Sequence, residues 1–294
     1  SGTVSGVASD YYVNAPVSLG KGVNFYTQLG SDSANLKSYQ VITGVGNHAS
    51  TTGTDLQGIN GGLSGNYALG ADIDASGTTS WYTKANYYGF TKIGDNDNLT
   101  GTETFFSGTF AGLGHTVSHL YMYQPNTGVS GMFAGLSTTG VIRDTGLVSM
   151  DITTNSSGGL VGRNRGSVKN SFSTGSITSN AGFVGGLVGD NSSGTGTVTD
   201  SYSTASVTVS NSALIPAGGL VGRNYHTITN SYAAGAVSGE SGYTGGLVGA
   251  LKSTGTVSAS VWNTTTSGQS SGYASVSTGS SSGVTGLSNS EMKL

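Results

Sequence analysis

Apolar and polar residues alternate along three segments in the second half of the chain. The segments are SVKNSFSTGSIT at Ser167–Thr178, TVTDSYSTASVT at Thr197–Thr208 and TITNSYAAGAVS at Thr227–Ser238. Alternation with a period of two is typical of a strand with one buried face. In the first segment it places Val168, Asn170 and Phe172 on one face, and Lys169 falls on the opposite, polar face. We therefore expect a short, half-buried strand in each segment.

A glycine-rich motif precedes each of these segments. It reads GGLVGRN at Gly158–Asn164, GGLVGDN at Gly185–Asn191, GGLVGRN at Gly218–Asn224 and GGLVGAL at Gly245–Leu251. The leucine of the motif recurs after 27, 33 and 27 residues, at Leu160, Leu187, Leu220 and Leu247. The chain therefore contains an internal repeat of about 30 residues, which must be considered before any other feature of the fold.

A unit of about 30 residues with two or three short strands cannot bury its apolar face alone, so neighbouring units must stack. Stacking in register produces a parallel β-helix, and the preferred crossover handedness makes it right-handed. We predict an all-β fold, a right-handed parallel β-helix (solenoid) with side loops, of about 9–11 coils and about 50 Å in length. A β-propeller or a leucine-rich repeat remains a minor alternative, because a propeller blade is longer and a leucine-rich repeat contains helix-forming stretches.

The residues of the repeated motif are expected to have a structural role. The leucine of GGLVG is expected to enter the core, and the glycines allow turns where a Cβ would collide with the next coil. The structural turn positions are Gly159, Gly186, Gly219 and Gly246. An asparagine after the motif suits a left-handed turn, and stacked asparagines can form hydrogen bonds along the axis. The two candidate ladders are Asn164, Asn191 and Asn224, and Asn170, Asp200 and Asn230.

The amino-acid composition argues against several classes of function. Charged residues make up 9% of the 294 residues and the net charge is −3, so no basic surface is expected to bind nucleic acid. Cysteine is absent, so we expect neither disulfides nor a thiolate site. No stretch approaches the ~20 apolar residues that span a bilayer, so we expect no membrane insertion. Glycine supplies 51 positions, but 35% hydrophobic residues in regular positions indicate a folded chain rather than a disordered one.

The repeat resembles a known family. GGLVGRN followed by SVKNSFSTGSIT is similar to the GLUG repeat, within a chain that resembles passenger regions of filamentous-haemagglutinin-like adhesins of the two-partner secretion pathway. Further similar segments are STTGTDLQGINGGLSGNYALGADIDAS at Ser50–Ser76, FSGTFAGLGHTVSHLYM at Phe106–Met122 and VWNTTTSGQSSG at Val261–Gly272. An Asn-Pro-Asn-Gly-type secretion motif is absent. The chain therefore resembles a piece downstream of the export-targeting domain.

The resemblance implies a domain organisation and a location. Residues 1–125 are expected to form N-terminal β-helix coils with an aromatic side loop, 126–270 the GLUG-repeat coils, and 271–294 a Gly/Ser-rich C-terminal tail. It implies a protein that is secreted or held at the bacterial cell surface. The implied partners are a host-cell or biofilm glycan or surface protein, and an outer-membrane secretion partner of the parent protein.

Candidate chemical groups are few. Asp72 and Asp74 share one face of a strand, a spacing that a polysaccharide-processing β-helix enzyme could use, although a strand-end turn is the simpler interpretation. Asp95 and Asp97 lie in a Gly/Asn-rich segment and could bind calcium, but the bidentate Glu of a full calcium loop is missing. No phosphate loop, dinucleotide fingerprint or metal-binding histidine pair occurs in the sequence, so we expect no catalytic residue, no cofactor and no metal.

The most distinctive functional feature is aromatic. WYTKANYYGF at 81–90 brings five aromatic residues into ten positions outside the repeats: Trp81, Tyr82, Tyr87, Tyr88 and Phe90. Aromatic side chains on a polar rod can stack against sugar rings or anchor a protein partner. The alternative is a side loop that packs its own small cluster against the coil. We predict a non-catalytic adhesin segment, a rigid rod whose ligand contacts lie here; the alternatives are a pure spacer and, less favoured, a polysaccharide-processing enzyme.

Overall fold

The computed structural model describes residues 2–4, 7–9, 11–84, 87–97, 102–192, 194–210 and 214–293. The chain is nearly all β and winds into a parallel β-solenoid of about eight turns, which confirms the predicted fold class. The expectation of 9–11 coils was too high. Residues 82–84 with 87–89, and 95–97 with 102–104, form antiparallel hairpins beside the coil path. Residues 2–4 with 7–9, and residues 22–27, also pair antiparallel, so these segments add no turns.

Short strands follow one another along the whole described chain. Up to residue 143 they are β1 Gly2–Val4, β2 Val7–Ser9, β3 Gly22–Thr27, β4 Lys37–Ile42, β5 Tyr67–Leu69, β6 Ile73–Asp74, β7 Tyr82–Lys84, β8 Tyr87–Gly89, β9 Asp95–Asp97, β10 Thr102–Thr104, β11 Thr109–Ala111, β12 Thr116–Ser118, β13 Tyr121–Ser130, β14 Phe133–Leu136 and β15 Val141–Arg143. Further on they are β16 Gly146–Gly158, β17 Val161–Asn164, β18 Ser167–Lys169, β19 Phe172–Ser179, β20 Val184–Gly185, β21 Val188–Asn191, β22 Thr197–Thr199, β23 Tyr202–Ser203, β24 Ser206–Val209, β25 Ala217–Gly218, β26 Val221–Asn224, β27 Thr227–Thr229, β28 Tyr232–Ala233, β29 Val237–Ser238, β30 Thr244–Gly245, β31 Val248–Leu251, β32 Thr256–Asn263, β33 Tyr273–Val276 and β34 Ser280–Leu287.

Helices are short and lie between strands. The 3-10 helices are Ser33–Asn35, Gln57–Gly61 and Ser76–Ser80, and the α-helices are α1 Thr264–Ser267 and α2 Asn289–Met292. Within the described residues, none of these helices has the length and apolar character needed to cross a membrane.

Parallel pairing in register builds the core from columns of identical positions. Val168 of β18 pairs with Val198 of β22, which pairs with Ile228 of β27, which pairs with Val257 of β32. All four side chains are buried. The leucines of the four GGLVG motifs are also fully buried, as expected from the repeat.

The predicted domain limits fall within continuous structure. Strand β13 (Tyr121–Ser130) runs across the limit expected at 125/126. The segment expected to be a tail contains β33 and β34, which pair in parallel with β31 and β32. These residues therefore form a further coil, in spite of their Gly/Ser-rich composition.

A left-handed corner changes which face each residue occupies. Asn170, Asp200 and Asn230 have φ values of 52°, 51° and 51°, and each separates two strands that were predicted to be one. The turn shifts the alternation, so Phe172 points outward, although the sequence placed it beside Val168. The prediction for Phe172 was wrong because a strict period of two assumes an unbroken strand.

The residues after this corner form a ladder of buried serines. The backbone N–H of Ser171 donates to Oγ of Ser201 (3.1 Å), that of Ser201 to Ser231 (3.3 Å) and that of Ser231 to Ser260 (3.1 Å). The Ser171 hydroxyl in turn donates to the carbonyl oxygen of Lys169 at 2.8 Å, and the pattern repeats in the following coils. Hydrogen bonding on both sides makes the burial of these hydroxyls energetically acceptable.

The asparagines after the GGLVG motif form the predicted ladder. Nδ2 of Asn164 donates to Oδ1 of Asn191 at 2.9 Å, and Nδ2 of Asn191 donates to Oδ1 of Asn224 at 2.7 Å. All three side chains are buried. At the second predicted ladder, Asn230 donates to Asp200 (3.1 Å) while Asn170 donates to Asp144 in the preceding coil (2.9 Å).

We expect Asn191→Ala to lower the free energy of unfolding by about 2 kcal/mol, because it leaves a buried donor on Asn164 and a buried acceptor on Asn224 without this partner. Chemical denaturation measures the change. Asn14→Ala, at an exposed position, serves as the control and is expected to change stability by less than about 0.5 kcal/mol. Equal stability of the two variants would contradict a stabilising role for the ladder.

The residue at the variable position x of GGLVGxN helps to set the register between coils. Arg163, Asp190 and Arg223 occupy this position in successive coils and pair directly in the sheet. Arg223 forms a bidentate ion pair with Asp190 (2.9 and 2.8 Å), and Nε of Arg163 lies 3.4 Å from the same carboxylate. Like charges one coil apart would repel, so the alternation of sign favours this order of coils over a shifted one.

Candidate functional site

The predicted aromatic segment forms a β-hairpin at the margin of the solenoid. Strand β7 pairs with β8, and β8 pairs antiparallel with β13, so the hairpin extends the sheet beyond the coil strand. Tyr82 and Tyr88 lie opposite each other on its outer surface, with exposed fractions of 56% and 39%. Their ring centroids are 5.5 Å apart. The hairpin therefore presents two aromatic side chains to solvent.

Trp81 and Phe90 face the other way. Phe90 is fully buried, and Trp81 is half-buried with its ring stacked on Phe90 at a centroid distance of 6.4 Å and an interplanar angle of 23°. Phe90, which the sequence placed among the ligand contacts, lies in the core instead, because β8 ends at Gly89, whose φ of 90° breaks the alternation that would have set Phe90 beside Tyr88. The side chain of Tyr87 lies outside the described residues.

A third tyrosine, the half-buried Tyr123, adjoins the exposed pair of Tyr82 and Tyr88. It pairs with Tyr88 across the β8–β13 ladder, and the two ring centroids are 6.1 Å apart. Sequence reasoning missed Tyr123 because it lies far from the hairpin in the chain. The available signal was the alternation of YMY at 121–123, which places Tyr121 and Tyr123 on one outward face. We call Tyr82, Tyr88 and Tyr123 the tyrosine cluster.

The rings of the tyrosine cluster are tilted against one another rather than stacked. Their planes are tilted by 58° between Tyr82 and Tyr88 and by 49° between Tyr88 and Tyr123, so they do not cover one another. Tilted rings with exposed faces can accept a flat apolar surface, such as one side of a sugar ring.

A second aromatic column, on the GLUG-like coils, has a different geometry. Phe172, Tyr202 and Tyr232 stack with centroids 4.8 and 4.6 Å apart and planes within 2° and 3° of parallel. Each ring covers the face of the next, and burial raises the pKa of Tyr202 and Tyr232. With its ring faces covered, this column stabilises the coil stack.

Two groups support and border the tyrosine cluster. Gln124, which is buried, donates from Nε2 to the carbonyl oxygen of Phe90 at 2.9 Å and so ties the hairpin to the core. Asp151 is exposed and pairs with Tyr121 in the sheet. Burial, and then the negative charge of Asp151, raises the pKa of Tyr121. The border of the cluster is therefore acidic at this point.

Backbone hydrogen bonds hold the carboxylates of Asp72 and Asp74, the first from the next coil and the second within a local turn. Asp72 accepts hydrogen bonds from the backbone N–H of Thr116 (2.8 Å), and Asp74 accepts one from the backbone N–H of Ser76 (2.9 Å). These bonds are the main reason why the pKa of each carboxyl is lowered. A general acid needs a raised pKa, so neither carboxyl is suited to act as the general acid of a glycosidase.

The segment considered for calcium is also a hairpin. Strands β9 and β10 pair antiparallel, and Nζ of Lys92 lies 3.1 Å from Oδ1 of Asp95. A lysine ammonium at this distance competes with a metal cation for the carboxylate. The side chain of Asp97 is outside the described residues, and no cluster of three metal-ligating side chains occurs within the described part of the chain.

Parts of the chain match known sequences. Residues 153–178 and 217–238 match the family described as the GLUG motif, which confirms this part of the resemblance. A stretch of 141 residues is 36% identical to halomucin from Haloquadratum walsbyi and covers 46% of this chain. The match covers 2% of halomucin, so this chain corresponds to a small part of that protein.

The fold also occurs in a solved structure. The crystal structure of a candidate immunoglobulin A1 protease from Bacteroides ovatus superposes with a TM-score of 0.61 over 87% of this chain and 76% of the other. The two sequences are 18% identical, so the similarity concerns the fold alone. The chain is thus a GLUG-containing β-solenoid.

Proposed function

We propose that this chain is a rigid, non-catalytic segment of a secreted or cell-surface protein and that its tyrosine cluster binds glycans. The observation that carries the proposal is the outward cluster of Tyr82, Tyr88 and Tyr123, in which Tyr82 and Tyr88 are exposed and the three rings are tilted rather than stacked. The solenoid holds this cluster on a sheet with a continuous core, so little ordering is required on binding.

The match to the GLUG motif and the similarity of part of the chain to halomucin support the proposed location. We further propose that the parent protein is an adhesin of the filamentous-haemagglutinin type, exported through an outer-membrane secretion partner. On a cell that carries many copies, weak individual contacts would combine into stable adhesion to host or biofilm surfaces.

We expect the double variant Tyr82→Ala/Tyr88→Ala to lose binding to a glycan array, with an affinity at least about tenfold below wild type, because it removes both exposed rings of the hairpin. Tyr12→Ala/Tyr26→Ala is the matched control, since these tyrosines are 69% and 52% exposed and lie outside the cluster. Circular dichroism checks that each variant is folded.

The outcomes separate the proposal from its main alternative. Loss of binding in the cluster variant alone supports a receptor segment. No saturable glycan binding by wild type would favour a spacer, whose adhesive part lies elsewhere in the parent protein. Equal loss in both double variants would contradict a site at Tyr82 and Tyr88.

A further inference from the structure

The tyrosine cluster is one end of a longer row of outward side chains. The row crosses seven strands in register: Tyr82, Tyr88, Tyr123, Thr153, Thr178, Thr208 and Ser238. Each side chain of the row is half-buried or exposed, and their neighbours along each coil strand are buried. Six steps of about 4.8 Å between adjacent strands give a length of about 29 Å, parallel to the solenoid axis.

The row beyond the tyrosines is a regular array of hydroxyl groups. Thr153, Thr178, Thr208 and Ser238 present one hydroxyl per coil. Each hydroxyl can donate one hydrogen bond and accept two, and the rigid coil stack fixes the interval between them. The Ser238 hydroxyl donates to Oγ1 of Thr208 at 3.3 Å, which leaves the Thr208 hydroxyl its own donor. Ser176 and Ser206 form a parallel column two residues away along the same strands.

The charge on this surface is low and negative. Two neighbouring columns make up this surface: the row from Tyr123 to Ser238, and the column of Tyr121, Asp151, Ser176 and Ser206. Asp151 is the charged residue of these two columns, and it is exposed. A ligand that carries carboxylates or sulfates would be repelled at Asp151 and would find no cation in these columns. An apolar protein partner would find hydroxyls where it needs apolar side chains.

We infer that the row from Tyr82 to Ser238 binds an uncharged, extended polysaccharide that lies along the axis of the solenoid. One sugar ring stacks on the tyrosine cluster, and the following sugars exchange hydrogen bonds with the hydroxyls of Thr153, Thr178 and Thr208. The inference rests on the proposed function, because the tyrosine cluster is the end at which the glycan is anchored. It adds that the glycan is uncharged, that it lies parallel to the solenoid axis, and that it must be longer than a disaccharide to reach the hydroxyl groups.

The test compares short and long ligands by isothermal titration calorimetry. The probes are disaccharides and hexasaccharides of neutral β-1,4-, β-1,3- and α-1,4-linked glucose, together with hexagalacturonate as the acidic probe. The variant Thr178→Val/Thr208→Val removes two hydroxyls of the row without touching the tyrosines. Its control is Thr197→Val/Thr227→Val, because these threonines occupy successive coils on another face and have the same exposure, one half-buried and one exposed.

We expect wild type to bind a neutral hexasaccharide at least about tenfold more tightly than the matching disaccharide, since each additional hydrogen bond contributes about 2- to 10-fold. The Thr178/Thr208 variant is expected to lose most of this gain, to bind the disaccharide as wild type does, and to differ from its control. Hexagalacturonate is expected to bind more weakly than the neutral hexasaccharide.

Other outcomes overturn the inference in distinguishable ways. If hexasaccharide and disaccharide bind equally and binding still depends on Tyr82 and Tyr88, the extended row is wrong and the proposed function stands. If the control variant loses as much affinity as the Thr178/Thr208 variant, the row has no specific role. Tighter binding of hexagalacturonate refutes the uncharged ligand class, and absence of binding to every oligosaccharide, with binding to a cell-surface protein instead, refutes both proposals.

Discussion

Gly186→Ala is expected to lower the free energy of unfolding by about 3 kcal/mol or more, at the upper end of what overpacking costs. A Cβ on Gly186 would lie 2.2 Å from the carbonyl oxygen of Gly219 and 2.1 Å from Oγ of Ser203. The carbonyl belongs to the next coil, whose backbone is fixed by the Leu187–Leu220 hydrogen bond, so it cannot move away without breaking the register. Thermal and urea unfolding measure the effect.

Gly77→Ala is the matched control for this substitution. Gly77 lies in the exposed 3-10 helix Ser76–Ser80, and a Cβ there meets no atom within 4 Å. Because its φ is not positive, alanine is expected to leave stability unchanged or to raise it by up to about 1 kcal/mol through the unfolded state. If Gly186→Ala proves as stable as Gly77→Ala, the repeated glycines are not required by coil packing.

The same steric pattern repeats at each copy of the motif. A Cβ on Gly159 would lie 2.6 Å from the carbonyl oxygen of Gly186, and one on Gly219 would lie 2.4 Å from that of Gly246. At Gly246 the obstacle is the indole of Trp262, 2.1 Å away at Cδ1. At Gly159, Gly186 and Gly219 the backbone of the next coil therefore leaves no room for a side chain, and at Gly246 the indole of Trp262 fills the space, so close packing accounts for the repetition of the motif.

The sequence predicted the features that depend on repetition. A position that recurs every coil must occupy the same place in each coil, so the buried leucines, the Val168 column and the Asn191 ladder followed from the spacing alone. The prediction needed no knowledge of how the chain bends within one coil.

Features that depend on a bend or on contacts between distant segments could not be read in this way. A left-handed residue at Asn170 shifts the alternation by one place, which turned Phe172 outward. The pairing of Tyr88 with Tyr123 joins a hairpin to a coil strand, and no spacing in the sequence encodes it. The sequence therefore located the aromatic hairpin of the candidate site. The third ring, Tyr123, and the row of threonines became visible only once the strand register was known.

The last prediction concerns the C-terminal end of the core. Trp262 occupies the column position of Ala233 and Ser203 in the preceding coils. Its ring lies among Gly246, Gly272 and Gly286, each of which would bring a Cβ within 2.8 Å of the indole. The indole N–H donates to the carbonyl oxygen of Gln269 at 3.0 Å, and the residue is 8% exposed. One large side chain thus fills the space that three glycines leave open.

Trp262→Ala is accordingly expected to cost about 3–5 kcal/mol, the range for removing a large aromatic side chain from a core. Because each coil contacts mainly its neighbours, the loss should be local. Amide hydrogen exchange should accelerate in β33 and β34 and stay unchanged in β15 and β18. Val276→Ala is the control in the same coil, since Val276 is 55% exposed, and it should change stability by less than about 0.5 kcal/mol. Faster exchange along the whole solenoid would instead mean that the coils unfold as one cooperative unit, and unchanged exchange in β33 and β34 would mean that Trp262 does not hold the last coil in place.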